Sequence, residues 1–430
     1  MASDTKPAPL TIDQKPHSSF FRQSGWLMIA TIGAGVFSFG MHFLNKKIPD
    51  AAYGEFVTLL MVTACIPAAP LQMVFAQQSA QALATGRERQ LSGMIRLVWV
   101  CTFLLWLAAA IAVLVFQGTI VKRWQLAGPS GVWITLPVIL MSLWMPLFSG
   151  VLQGRQDFFW LGWSTIFGGV GRIIGGAVIV FFFFPTAAGL MAGALIGIGS
   201  AAVVGLWRTR DLWTLPPERF DVKSTLGQVL PLMLGFGAYQ FMFTSDTMFA
   251  KAFFSADSMK AYGAAGTLCR ALLWLVTPLA TVMFPKIVHS HAKSEKSNLL
   301  GLVMAGTALL GICGAAGLWL VGPWVVRFVY KSGDVNATIA LIPWYAGAMI
   351  PLALANVLVN DLLARARYAV VPAMILLALV YSFTLPMLLH HFPGRMEVIL
   401  QTLSVFNLIL LAICALFMLQ SKSKIQSPTG

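Results

Sequence analysis

Leu152-Gln153-Gly154-Arg155-Gln156-Asp157-Phe158 closes one long apolar run and opens the next. Some 210 residues later, Leu362-Leu363-Ala364-Arg365-Ala366-Arg367-Tyr368 does the same. A proline–leucine pair precedes each stretch, Pro146-Leu147 in the first and Pro351-Leu352 in the second. Further upstream, Tyr53-Gly54 and Tyr262-Gly263 open two other runs with prolines at matching depth, Pro67 and Pro70 against Pro278. An offset held near 205–210 residues through four features marks a chain built of two similar halves.

The runs themselves are membrane spans. The chain has 430 residues, of which 58% are hydrophobic and 10% charged, with a mean hydropathy of +0.79. A water-facing surface needs about a quarter of its residues charged. Spans are expected at 24–44, 53–75, 91–116, 132–152, 161–184 and 186–207, then at 226–251, 261–288, 299–322, 337–360, 368–389 and 398–419. At about 1.5 Å rise per residue each can cross a hydrocarbon core of about 30 Å. The expected fold is therefore an all-α polytopic membrane protein with about twelve transmembrane helices in two six-helix lobes around a central cavity. Because six is even, the second half enters from the same side as the first, a parallel repeat about an axis normal to the bilayer.

The longest loop, 208–225, is charged, contains Pro216 and Pro217, and sits at the midpoint. It sets expected boundaries: a tail at 1–20, lobes at 21–208 and 225–420, a linker at 209–224 and a second tail at 421–430. Lys and Arg are about twice as frequent in the loops on the side of this linker, densest at Arg87/Arg89/Arg96, Arg208/Arg210/Arg219/Lys223 and Lys286/Lys293/Lys296. That side is read as cytoplasmic, with both termini on it. The N-terminal segment is polar and proline-bearing, without the apolar core of a cleavable signal, and is read as a retained cytoplasmic tail.

Several function classes drop out. The formal charge of +14 is spread over loops in ones and twos, as topology requires, and does not point to nucleic acid. Cys65, Cys101, Cys269, Cys313 and Cys414 all fall in apolar runs and read as packing residues. No Walker A sequence is present to power transport by ATP hydrolysis. The outer loops are short, with Asp50, Asp257, Asp334 and Glu397 their only acids, too few for a membrane glycosyltransferase or polymerase. His289/His291 and His390-His391 lack carboxylate or Cys partners at metal-ligand spacing and read as interfacial.

Gly189, Gly193, Gly197, Ala201 and Gly205 recur at every fourth position of the sixth span. This small-residue stripe lets a neighbouring helix approach, within the lobe or across a dimer. Pro67, Pro146, Pro278 and Pro351 are hinge candidates, since each removes a donor from the helical ladder; the alternative is ordinary membrane-helix proline. The ionisable groups carry more information, because a charge in the membrane is costly and must face a wet cavity or a partner. Arg172 lies in the middle of the fifth span; Asp246 and Arg270 fall at comparable depth in the seventh and eighth. Two readings stay open: an Asp246–Arg270 pair that pins two helices together, or a cavity where Arg172 and Arg270 attract an anionic headgroup and Asp246 balances charge or binds a coupling cation.

The stretch from Asp246 through Lys251, with Tyr262-Gly263, Pro278 and Phe284-Pro285, resembles the polysaccharide-biosynthesis branch of the multidrug/oligosaccharidyl-lipid/polysaccharide (MOP) exporter superfamily. Tyr53-Gly54-Glu55-Phe56 and Gly150-x-x-Gln153-Gly154 agree in the first half, so the resemblance covers about residues 20–420. It implies a flippase of the bacterial cytoplasmic (inner) membrane, working by alternating access on a polyprenyl-diphosphate-linked glycan such as an O-antigen unit of lipopolysaccharide. Arg270 and, by its depth in the span alone, Arg172 would attract the diphosphate, Asp246 would pair or couple, and Na+ or H+ would be the driving ion, with no cofactor. Membrane lipid and polysaccharide assembly proteins are the implied partners of a monomer. Twelve spans speak against the lipid II flippases of the superfamily, which usually have fourteen. Two rivals stand beside this reading: a cation-coupled exporter of organic cations, and a membrane-embedded glycan ligase or polymerase.

Overall fold

The computed structural model describes residues 16–41, 44, 47–64, 66–124, 126–293, 299–329 and 335–426. Cys65, Lys296, Asp334, residues 1–15 and residues 427–430 lie outside them. The first half contains α1 (Pro16–Gly40), α2 (Asp50–Ala64), α3 (Ala68–Thr85), α4 (Glu88–Val115), a short α5 (Gln117–Arg123), α6 (Ser130–Gly154), α7 (Phe158–Phe182) and α8 (Ala187–Arg208). A one-turn α9 (Arg210–Thr214) lies in the linker. The second half contains α10 (Val222–Phe253), α11 (Ala256–Ala292), α12 (Leu299–Val329), α13 (Val335–Ala364), α14 (Val371–His391) and α15 (Glu397–Gln426). Ten of the described helices are long and apolar enough to cross a bilayer, and the chain is an all-helical, multi-pass membrane protein.

The two expected spans outside that ten are the first and second. Most of the first expected span lies in α1, which has 25 residues and carries Arg22, Gln23 and Ser24 in its first half. The second was expected as one helix ending at Phe75, and the structure corrects it. Two helices replace it, α2 ending at Ala64 and α3 running on to Thr85. Pro67 sits at the break as the residue capping α3, where its missing N–H costs nothing. The run past Phe75 contains Gln77, Gln78 and Gln81, too polar to read as span, but α3 turns those side chains toward protein.

The repeat is visible in the turns. Gln156 and Ala366 both adopt positive φ, 59° and 54°, uncommon for residues with a Cβ. Each follows a helix end closed in the same way: the N–H groups of Gln156 and Asp157 bond the carbonyls of Gln153 and Leu152, and those of Ala366 and Arg367 bond Leu363 and Leu362. This paired closure is the Schellman cap. The two stretches quoted first from the sequence are thus one cap built twice.

Within the first lobe α8 packs closely on α7, and α6 against both α3 and α8. The glycine stripe explains both contacts of α8: a Cβ on Gly197 would lie 2.7 Å from Cβ of Arg172 in α7, and one on Gly205 would lie 2.6 Å from Phe148 in α6. The stripe serves packing inside the lobe. In the second lobe the core centres on α11 and α13, with Tyr262, Phe284 and Tyr345 fully buried. The linker is strapped to the first lobe: Ser92 and Arg96 donate to carbonyls of Leu212, Trp213 and Leu215, and Glu218 N–H bonds Arg89 O. Arg155 pairs with Asp211, and Arg208 with Asp157 at 2.8 Å.

The lobes meet where α11 packs on α1, α3 and α6, and where α10 packs on α3. Polar contacts across this seam gather at the end carrying Arg87, Arg155 and the linker, here termed the basic end. Gln153 Nε2 donates across it to the Thr281 carbonyl at 3.1 Å, and Gln153 is held within the first lobe by Gln72, whose Nε2 donates to its Oε1 at 2.9 Å. Gln77 donates to the Tyr368 hydroxyl at 3.1 Å and Gln78 to Gln228 Oε1 at 3.4 Å.

Candidate functional site

Two charged groups stand within the spanning helices. Asp246 of α10 has no solvent exposure. Tyr262 of α11 donates to its Oδ2 at 2.7 Å, Tyr345 of α13 donates to the same oxygen, and Arg270 Nη2 donates to Oδ1 at 2.6 Å. The same Nη2 reaches Thr247 Oγ1 at 2.6 Å. The guanidinium lies over the Phe243 and Tyr345 rings, 5.6 and 5.5 Å from their centroids. A buried carboxylate is stable only with donors on both oxygens and a counter-charge, and here it has both. Gly266 makes the arrangement possible, since a Cβ there would stand 3.0 Å from the Tyr345 hydroxyl.

Arg172 of α7 is in a different position. It lines a cavity of about 900 Å³ between the lobes. Thr31, Gly35 and Ser38 of α1 and Ser164 and Gly168 of α7 form one wall; Thr267, Ala271 and Trp274 of α11 form the other. Among the described residues Arg172 has no carboxylate partner. Its Cβ lies against Gly197 of α8, and its side chain lines the opening. The walls are otherwise largely apolar. A low-dielectric cleft with one uncompensated cation attracts anions and repels cations.

The residues singled out from the sequence therefore divide. Asp246 and Arg270 are joined within the second lobe, and Arg172 stands apart on the inter-lobe cavity. Thr267 and Ala271, on either side of Arg270 in α11, line that cavity, and Arg270 keeps 19% of its side chain exposed. Pro67 lies at a helix break, Pro146 and Pro351 are buried inside continuous helices, and Pro278 lies in α11 on a second cavity of about 190 Å³.

Sequence reasoning missed Tyr345, Trp274 and the glutamines. Tyr345 carried a weak signal as a phenol inside an apolar run, because a buried hydroxyl needs a partner. Gln72, Gln77 and Gln78 carried a stronger one, three amides within seven residues beside an expected span.

Residues 74–429 match the family described as lipid II flippase MurJ. The chain belongs to the MurJ family. It is accordingly a transporter of the MOP superfamily rather than an enzyme. The match overturns the use of span count against lipid II flippases: a count changes with any helix added at the edge, whereas the match follows residues through the bundle. The fold of this MurJ-family chain is also that of solved MATE transporters. An outward-facing multidrug resistance MATE family transporter of the MOP superfamily aligns at 12% identity with TM-score 0.78, covering 96% of this chain and 98% of that one. A mutant of the Vibrio cholerae MATE transporter VcmN aligns at 14% identity with TM-score 0.76, covering 95% and 97%. A MATE in a straight conformation gives 12% identity and TM-score 0.76, covering 96% and 98%. No curated protein matches the chain.

Proposed function

We propose that this chain flips a polyprenyl-diphosphate-linked saccharide across the bacterial cytoplasmic membrane by alternating access. That class includes the lipid II of the family's name and the oligosaccharide units of surface polysaccharides, O-antigen among them. The observation that carries the reading is Arg172, a cation without a carboxylate partner on a large inter-lobe cavity. Charge-assisted hydrogen bonds from a guanidinium suit a diphosphate, while the polyprenyl tail can stay in lipid. Arg270 contributes from behind the wall, held by Asp246, which acts as its ion partner. The basic end faces the cytoplasm in this reading, with lobes 21–208 and 225–420 rocking about Pro146, Pro278, Pro351 and the break at Pro67.

The exporter alternative needs an open carboxylate for an organic cation. Asp246 has its charge already balanced by Arg270, which favours the flippase. The deciding experiment is leaflet exposure in proteoliposomes of fluorescent lipid II, a polyprenyl-diphosphate oligosaccharide and an organic cation, with wild type and Arg172→Ala. Exposure of either lipid by wild type, reduced in the variant, is expected, and the better lipid identifies the pathway served. Movement of the cation alone, indifferent to Arg172, would overturn the reading.

A further inference from the structure

Beneath the Arg172 cavity, toward the basic end, lies the second cavity of about 190 Å³. The two share Thr31, Thr165 and Trp274, so they form one tapering space. Their chemistries differ. Among the described residues no charged side chain lines the lower part; its walls present Gln72, Ser149, Thr277, Thr281 and the shared threonines beside apolar residues.

Most hydroxyls in a helical bundle donate back to the carbonyl four residues earlier, and Thr165 and Thr281 do so at 2.9 and 3.1 Å. The hydroxyls of Thr31, Ser149 and Thr277 make no hydrogen bond among the described residues, although each residue lines the cavity. Ser149 is nevertheless 9% exposed. Hydroxyls withheld from the protein and facing a cavity are left for a polar occupant. Trp274 supplies the complementary element, an indole 44% exposed at the junction of the two cavities, with Gly35 of α1 facing its ring at 3.8 Å from an ideal Cβ. An aromatic face beside neutral hydroxyl and amide groups binds a ring that has apolar C–H faces and a hydroxylated rim.

We infer that this lower cavity is a neutral saccharide subsite, in which Trp274 stacks on the sugar next to the diphosphate and Thr31, Ser149 and Thr277 bond its hydroxyl or acetamido groups. The inference rests on the flippase reading and adds to it. Arg172 recognises what every such lipid shares, and the subsite recognises the glycan. The polar floor formed by Gln72, Gln153 and Thr281 closes the subsite toward the basic end.

The test is equilibrium binding to the purified full chain in nanodiscs, with two probes: undecaprenyl diphosphate carrying one N-acetylhexosamine, and sugar-free undecaprenyl diphosphate. Trp274→Ala and Thr277→Val are expected to weaken binding of the glycosylated probe by about tenfold and leave the sugar-free probe within about twofold. Trp274→Phe, which keeps a ring and guards against misfolding, should retain most of the affinity. Arg172→Ala should weaken both probes. If Trp274→Ala and Thr277→Val weaken both probes alike, or neither, the subsite is refuted while the flippase reading stands. If wild type binds neither probe, the flippase reading fails and the subsite with it.

Discussion

Gln153 of α6 donates through Nε2 to the carbonyl oxygen of Thr281 in α11, 3.1 Å away across the seam between the lobes. That carbonyl is available because the residue four positions on is Pro285, which has no N–H to close the helical ladder. A proline in one lobe thus creates an acceptor that a glutamine of the other fills. Gln153 is wholly buried and is held in turn by Gln72. Gln77–Tyr368 and Gln78–Gln228 extend the same seam.

Replacing Gln153 with Leu should loosen this closure. The Thr281 carbonyl would be left without its donor at a cost of about 1–3 kcal/mol, roughly 5- to 150-fold in the equilibrium between lobe arrangements. Spin labels placed across the seam at residues 78 and 228 should report longer distances in the variant than in wild type. Unchanged distances would mean that packing alone holds the lobes together at the basic end.

The Asp246–Arg270 pair should behave as a buried pair does. Asp246→Ala strands a guanidinium with only 19% of its side chain exposed and is expected to destabilise the protein by about 3–5 kcal/mol. Asp246→Ala with Arg270→Ala should recover a substantial part of that loss. Thermal unfolding in detergent of both singles and the double gives the coupling. Additive losses would show that the two side chains do not depend on one another.

Arg172 should be dispensable for folding and needed for transport. Arg172→Ala is expected to lower flipping about 10- to 100-fold, the worth of a charge-assisted contact, with no loss of thermal stability. Arg172→Lys keeps the charge without the planar fork and should fall between. Gly197→Val tests the same site from behind: its added Cβ would stand 2.7 Å from Cβ of Arg172. That overpacking is expected to cost about 1–3 kcal/mol and reduce transport together with stability.

At the membrane surface, partial burial raises Asp211, but the hydrogen bond and charge of Arg155 outweigh it and hold the carboxyl below its ordinary range. A depressed carboxyl contributes stability above its unfolded value and loses it as pH falls through the folded one. The linker should therefore stay strapped at neutral pH and loosen only in acid, below about pH 4. Asp211→Asn should produce the same loosening at neutral pH, read as faster hydrogen exchange at residues 209–221. With 55% of Asp211 exposed, the effect should be modest and shrink at high salt.

Much of this architecture is legible in the chain. Span length and hydropathy locate α4, α6 to α8 and α10 to α15, because lipid demands long apolar helices whatever their neighbours are. The repeat is legible because both halves end a helix with the same cap, at Gln156 and Ala366. Asp246 and Arg270 are legible as partners, since depth along two adjacent spans is a matter of counting.

What the sequence could not determine is direction around each helix axis. Counting gives depth and leaves azimuth open. Only the folded bundle turns Arg270 toward Asp246 and Arg172 toward the cavity, although both are arginines at mid-span. The extension of α3 to Thr85 had the same origin, since its glutamines look like the end of a span until a second lobe stands opposite to receive them. Composition and span length thus determined that the protein crosses a membrane, and motifs repeated at a fixed offset that it does so in two related halves. Which polar groups satisfy one another and which are left for a ligand was decided by tertiary packing, because hydrogen bonds and ion pairs depend on distances of a few ångströms between residues far apart in the chain.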